Sequence, residues 1–155
     1  MKHLTTKAFG LWAATLLLAF ATQFAHANPQ QVVESLSSAQ MKELFHNEGF
    51  TDVVIDSDDD LIVRMNGYRV LVFVRGSNYS RIKYVFAIGG TNATMDKVND
   101  WNATKLFGRS YLDRDGDPVL EMDVDLDGGV TIARIRDSIR TFAQLQSAFL
   151  REVAH

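Results

Sequence analysis

Eight consecutive residues alternate apolar and acidic without a break. Leu120, Met122, Val124 and Leu126 are apolar, while Glu121, Asp123, Asp125 and Asp127 are acidic. A period of two puts the apolar set on one side of a pleated strand and the acids on the other. A chain holding such a strand must build a sheet with a dry face and a wet one, and something apolar must cover the dry face. The cover follows directly. After Gly128-Gly129, the residues Ile132, Ile135, Ile139, Phe142, Leu145 and Phe149 recur at three-and-four spacing, which predicts a helix with one buried stripe. At 1.5 Å per residue that helix is about 30 Å long, enough to cross a whole sheet.

The same acids invite a calcium-loop reading. Asp123, Asp125, Asp127 and Gly128 match the start of such a loop, and Val130 matches its apolar eighth position. The twelfth position, where the loop needs a bidentate glutamate, holds Arg134, which would repel the ion. Upstream, Asp113, Asp115 and Asp117 are followed by Pro118 where glycine is required. The stretch therefore reads as a strand, Asp56 to Asp60 as a solvated turn, and no metal site is expected. Asp115-Gly116 is expected to make a two-residue hairpin turn that pairs Arg114 with Asp117 and Tyr111 with Leu120.

The rest of the chain fills in around this unit. Asn28 to Leu36 is polar and reads as a loose arm. Ser37 and Gln40 have the form of a capping box opening a helix from about Ser38 to Glu48, with Met41, Leu44 and Phe45 on its apolar side and Gly49 ending it. Four strands are expected next: Asp52–Asp56, Leu61–Met65, Tyr68–Arg75 and Arg81–Ile88, with Asn66-Gly67 as a tight hairpin turn. The third is apolar on both faces in its middle, as a central strand would be. Thr91 or Thr94 then caps a second helix with the stripe Met95, Val98, Trp101 and Asn102. Asn102 falls on the apolar side, so a buried amide in need of partners is expected there. The fold class is thus α+β, an antiparallel sheet packed against helices in the order α-β-β-β(-β)-α-β-β-α.

Residues 1–27 read as a leader. Lys2, His3 and Lys7 precede an apolar run from Ala8 to Ala21, and Ala25-His26-Ala27 supplies the small residues a signal peptidase needs. The run is shorter than the roughly 20 residues of a membrane span. Export to the periplasm is expected, with a mature domain of residues 28–155 and no membrane association after cleavage. That segment carries 14 basic and 19 acidic residues, a balance that disfavours nucleic acid. It has no cysteine and two histidines, His46 and His155, which leaves little material for catalytic triads or zinc sites. No cofactor is expected. Most of its aspartates lie in or beside turns or on the alternating strand, so a hydrolase using paired carboxylates is the weakest reading.

The string VNDWNATKLFGRSYLDRDGDPVLEMDVDLDGGV resembles the YbjN-domain family, labelled as bacterial sensory transduction regulators. Asn99, Trp101 and Asn102 carry the resemblance, with Tyr111, Asp113, Asp115-Gly116-Asp117, the alternating Leu120, Glu121 and Asp123, Gly128-Gly129 and the terminal helix. LFHNEGF in the first helix is similar to the family's opening. The resemblance implies a fold similar to type III secretion chaperones, which clasp an extended segment of a partner, often as dimers, without a catalytic centre. Many relatives look cytoplasmic, and the leader sets this chain apart from them.

The expected function is a non-enzymatic, chaperone-like periplasmic module binding a polypeptide partner or a second copy of itself through a sheet face or edge. The alternative is a small-ligand or ion sensor in an envelope stress or signalling pathway, using the polar cluster of Asn102, Tyr111 and Asp113. The candidate partner-binding residues are Trp101, Asn102, Tyr111, Asp113 and Phe149. For Trp101 and Asn102 the competing reading is structural: an aromatic core residue and an amide tying the helix to a neighbouring strand. For Phe149 it is burial under the chain's own sheet.

Overall fold

The computed structural model describes residues 28–155, so the expected leader lies outside the described residues. The elements in chain order are β1 (Val32–Val33), α1 (Ser38–Asn47), β2 (Val53–Ile55), β3 (Leu61–Met65), β4 (Tyr68–Arg75), β5 (Arg81–Ala87), α2 (Met95–Thr104), β6 (Arg109–Leu112), β7 (Pro118–Asp125), β8 (Val130–Thr131) and α3 (Ile132–Phe149). A π-helical turn, Leu150–Ala154, continues α3. The class is α+β as expected: among the described residues, three helices pack against a six-stranded antiparallel sheet of order β2-β3-β4-β5-β7-β6, with β1 and β8 forming a separate pair.

The capping box forms as read. Ser37 Oγ accepts from Gln40 N at 3.2 Å, and Gln40 Oε1 accepts from Ser37 N at 2.8 Å, which satisfies two of the orphan donors at the helix start. Gly49 takes φ +91° and turns the chain so that Phe50 meets Phe45 edge-on at 6.0 Å. Glu48, just past α1, accepts from Arg136 Nε at 2.5 Å and Arg140 Nη1 at 2.7 Å, binding the end of α1 to α3. Asn66-Gly67 makes the expected turn with both residues at positive φ, 50° and 84°. The Asn66 amide also reaches α3, with Ala143 O at 2.9 Å and Ser147 Oγ at 3.0 Å.

Four expectations are corrected. The segment before Leu36 is not loose: β1 pairs with β8 through Val32↔Thr131 and Val33↔Val130. Its carbonyls serve the exposed first turn of α3, Gln31 O accepting from Ile132 N and Pro29 O from Ala133 N, each at 2.9 Å. Gly129 permits the approach, because a Cβ there would sit 2.7 Å from Val32 Cγ1. Second, the β6–β7 register is one residue off the expected one, with Tyr111↔Val119 and Leu112↔Pro118. The connection is a longer loop in which the Asp113 carboxylate accepts from both Asp115 N and Asp117 N at 2.9 Å. Third, the inner side of α2 consists of Val98 and Trp101, while Met95 and Asn102 are exposed. Fourth, Gln146 is buried on α3 where Leu145 was expected; Leu145 packs at the rim of the core. Gln146 Oε1 accepts from Asn66 at 3.1 Å, which accounts for one end of that buried amide.

Candidate functional site: the open face of the sheet

The helices of the described residues all pack on one side. Val53, Leu61, Val63, Val70, Val72, Val74, Ile82, Tyr84, Phe86, Leu120, Met122 and Val124 point into a single core with α1, α2 and α3. The intervening strand residues form the opposite face. There Val54 opposes Ile62, Ile62 opposes Leu71, and Leu71 opposes Val85, so one apolar row crosses four strands in register. Val54 is 54% exposed and Leu71 38%, and Ile62, Phe73 and Val85 are half-buried. A wet sheet face is ordinarily polar, and this row is not.

Charges surround it. The strand residues of this face include Arg64, Arg69, Arg75, Arg81, Lys83 and Arg109 against Glu121, Asp123 and Asp125. Glu121, expected in water, is 6% exposed. Its neighbours across the ladder converge on it: Arg109 Nε donates to Oε2 at 2.9 Å, Lys83 Nζ to Oε2 at 3.3 Å, and Tyr111 Oη to Oε1 at 2.9 Å. Burial alone would raise the Glu121 pKa, but the hydrogen bonds from Arg109 and Tyr111 and the charge of Lys83 together hold it below the ordinary carboxylate value. A carboxyl depressed in the folded state contributes stability above its unfolded value, and the contribution is lost as pH falls through the folded one. Glu121→Gln keeps the size and removes the charge. Urea midpoints measured from about pH 7 to about pH 3 are therefore expected to fall less steeply for Glu121→Gln than for the wild type; parallel curves would contradict it.

The residues singled out in the sequence do not converge on a pocket. Phe149 is 0% exposed, and Trp101 is 2% exposed with Nε1 donating to Gly108 O at 2.9 Å. Both are core, and neither offers surface to a partner, because they pack on each other and Phe149 packs on Phe86 of the sheet. Asp113 organises the β6–β7 loop. Asn102 is not buried, yet its amide works like a missing strand: Oδ1 accepts from Ser110 N at 2.8 Å, and Nδ2 donates to Ser110 O at 2.9 Å. With Trp101 on Gly108, it closes the outer edge of β6, which would otherwise present unpaired backbone groups. Asn102→Ala is expected to lower stability by about 1 kcal/mol, since water can replace both bonds. Hydrogen exchange at the Ser110 amide should rise with it; unchanged protection would rule the clamp out. Of the five candidates, Tyr111 alone lies on the open face, at the Glu121 cluster.

Sequence reasoning missed the opposite end of that face. A shallow pocket of about 340 Å³ is lined by Asp52, Val54, Ile62, Arg64 and Arg69. Its signal was the outward set Arg69, Leu71, Phe73 and Arg75 on a strand expected to be central, which puts two apolar residues on the side away from the helices. Among the described residues, no group of three or more His, Asp or Glu side chains is placed to hold a metal ion, and Asp123 and Asp125 project outward from β7.

The family model YbjN, described as "Putative bacterial sensory transduction regulator", matches residues 37–155. No curated protein matches the chain.

Proposed function

The chain belongs to the YbjN family, and from that premise we propose that it is a non-enzymatic periplasmic module that regulates by binding a polypeptide partner on the open face of its sheet. The observation that carries this reading is the in-register row Val54, Ile62, Leu71 and Val85, which the described residues leave open while covering the other side of the sheet. Burying such a row returns about 25 cal/mol per Å² of apolar surface. The charged rim can set orientation and partner choice. Face binding is favoured over addition to the β6 edge, which Asn102 and Trp101 already occupy. The β2 edge has no neighbouring strand among the described residues but is three residues long. For a small ligand this face offers the 340 Å³ pocket, which lies at the low end of ligand-site volumes. Its walls are residues of the same face, so it is better read as a subsite of the polypeptide surface.

The test is a photo-crosslinking side chain at Leu71 in the exported protein, with Glu43 on α1 as the control position. A discrete polypeptide adduct is expected at Leu71, absent at Glu43 and lost when Ile62→Asp is added. Equal labelling from both positions would overturn the assignment of the face.

A further inference from the structure

We propose that the partner segment is acidic: an extended strand with two carboxylates six residues apart and two apolar side chains between them, all facing the sheet. This rests on the polypeptide-binding reading above and deepens it.

Two pairs of arginines carry the inference. Arg64 lies directly opposite Arg69, and Arg75 directly opposite Arg81. Like charges in opposed positions destabilise a ladder. The first pair is also of the closer kind, because Arg64 gives its backbone N–H to Asp52 O on the β2 side at 3.0 Å and so does not bond to Arg69. In each pair a neighbouring loop or strand end neutralises one member. Arg64 Nε meets Asp52 Oδ2 at 3.0 Å, and Arg75 pairs with Asp60. The other member of each pair, Arg69 or Arg81, has no ion pair among the described residues, although Asp125 stands opposite Arg81 on the far side. Each end of the face therefore holds a guanidinium whose surroundings favour an added anion. At one end that guanidinium lines the pocket beside Val54 and Ile62.

The spacing selects the ligand. On β4, Arg69 and Arg75 are separated by Leu71 and Phe73 at alternate positions, a span of about 20 Å at 3.3 Å per residue. An extended chain laid along β4 presents every second side chain to the sheet. Acids at its first and seventh positions meet the two arginine pairs, and apolar residues at its third and fifth meet Leu71 and Phe73. The acids of β7, Asp123 and Asp125, keep such a segment over β3 to β5. The charge distribution points the same way. The face carries six basic and three acidic strand residues, and the rest of residues 28–155 carries eight basic and sixteen acidic. An anionic segment is repelled from most of the surface and drawn to this side.

The experiment compares two labelled peptides, Glu-Ser-Leu-Ser-Val-Ser-Glu and its analogue with Gln in place of both Glu, by fluorescence anisotropy against the purified protein. The acidic peptide should bind about tenfold tighter at low salt, the worth of two partly exposed ion pairs. The advantage should disappear at about 1 M salt. It should also disappear in the double variant Arg69→Gln, Arg81→Gln, which leaves Arg64 and Arg75 with their carboxylates. An advantage that survives in the double variant overturns the proposal, as does failure of both peptides to bind. Arginine-dependent binding to phosphatidylglycerol vesicles, with none to the acidic peptide, overturns it in favour of an anionic surface. Equal binding of both peptides, lost with Leu71→Asp, overturns the acidic preference and leaves the polypeptide-binding face standing.

Discussion

Phe149→Ala is expected to lower the free energy of unfolding by about 3–5 kcal/mol, as truncation of a fully buried aromatic does. It is expected to leave the sedimentation coefficient of the folded protein unchanged. Phe149 is 0% exposed at the end of α3. Its ring meets Phe86 of the sheet at 6.1 Å and 81°, and Trp101 of α2 at 5.4 Å and 88°. It therefore joins three elements at the point where α3 passes into the π-helical turn, whose Val153 and Ala154 are also buried. Truncation leaves a cavity that this much surrounding structure cannot close. The helical stripe alone allowed another outcome, in which a second subunit covers the later turns of α3. That outcome has a separate signature, loss of self-association with an unchanged denaturant midpoint, and both readouts come from one sample.

How far the residues disclosed their own arrangement depended on whether the needed partner was near in sequence. Apart from Glu121 and Leu145, the alternation from Leu120 to Leu126 and the stripe from Ile132 to Phe149 read correctly, because each is a local period imposed by one covered side. The capping box at Ser37 and the turn at Asn66-Gly67 are equally local. The β6–β7 register was missed by one residue because a side chain competed with the two-residue turn. The Asp113 carboxylate takes two backbone amides and stretches the loop. Asp56 does the same for Asp58 N at 2.9 Å and Asp60 N at 3.0 Å. The fourth position of each loop has positive φ, Asp59 at 63° and Gly116 at 82°, so one Asx-type turn is used twice and accounts for the clustered acids. Glu121 was placed in water because its alternation is genuine. Its burial comes from Lys83 and Arg109 on the two strands that flank β7, a pairing no local pattern contains. The N-terminal arm was lost for the same reason, since its partners lie about a hundred residues away in β8 and α3. The candidate site shows both effects. Trp101, Asn102, Asp113 and Phe149 drew attention as chemically conspicuous residues, and architecture absorbs all four. The open face, written in Arg69, Leu71, Phe73 and Arg75, lies on a strand whose apolar residues on both sides fit a central position, and that reading gave its outer side no role of its own.

Trp101→Ala should cost about 3–5 kcal/mol as well, and its second effect separates a core residue from a recognition residue. The indole fills the space between α2 and Phe149, donates Nε1–H to Gly108 O at 2.9 Å, and lies under Lys105 Nζ at 5.6 Å from the ring centroid. Lys105 in turn pairs with Glu152 of the π-helical turn at 2.6 Å. Removing the indole thus loosens α2 from both the C-terminal turn and the β6 edge. Asn102 sits one residue on, and its two bonds to Ser110 depend on α2 staying in place. Exchange protection at Ser110 should therefore collapse in Trp101→Ala, and the freed β6 edge should raise concentration-dependent aggregation. Trp101→Phe restores most of the volume but not the donor. It should recover part of the stability while leaving Gly108 O short of a partner, a residual cost of about 1–3 kcal/mol. The double variant with Phe149→Ala should lose less than the two single losses combined, because each truncation already removes the ring contact that the other would break. A recognition residue would behave otherwise, with adduct formation at Leu71 falling while the unfolding midpoint, the Ser110 exchange rate and the coupling to Phe149 all stay at wild-type values.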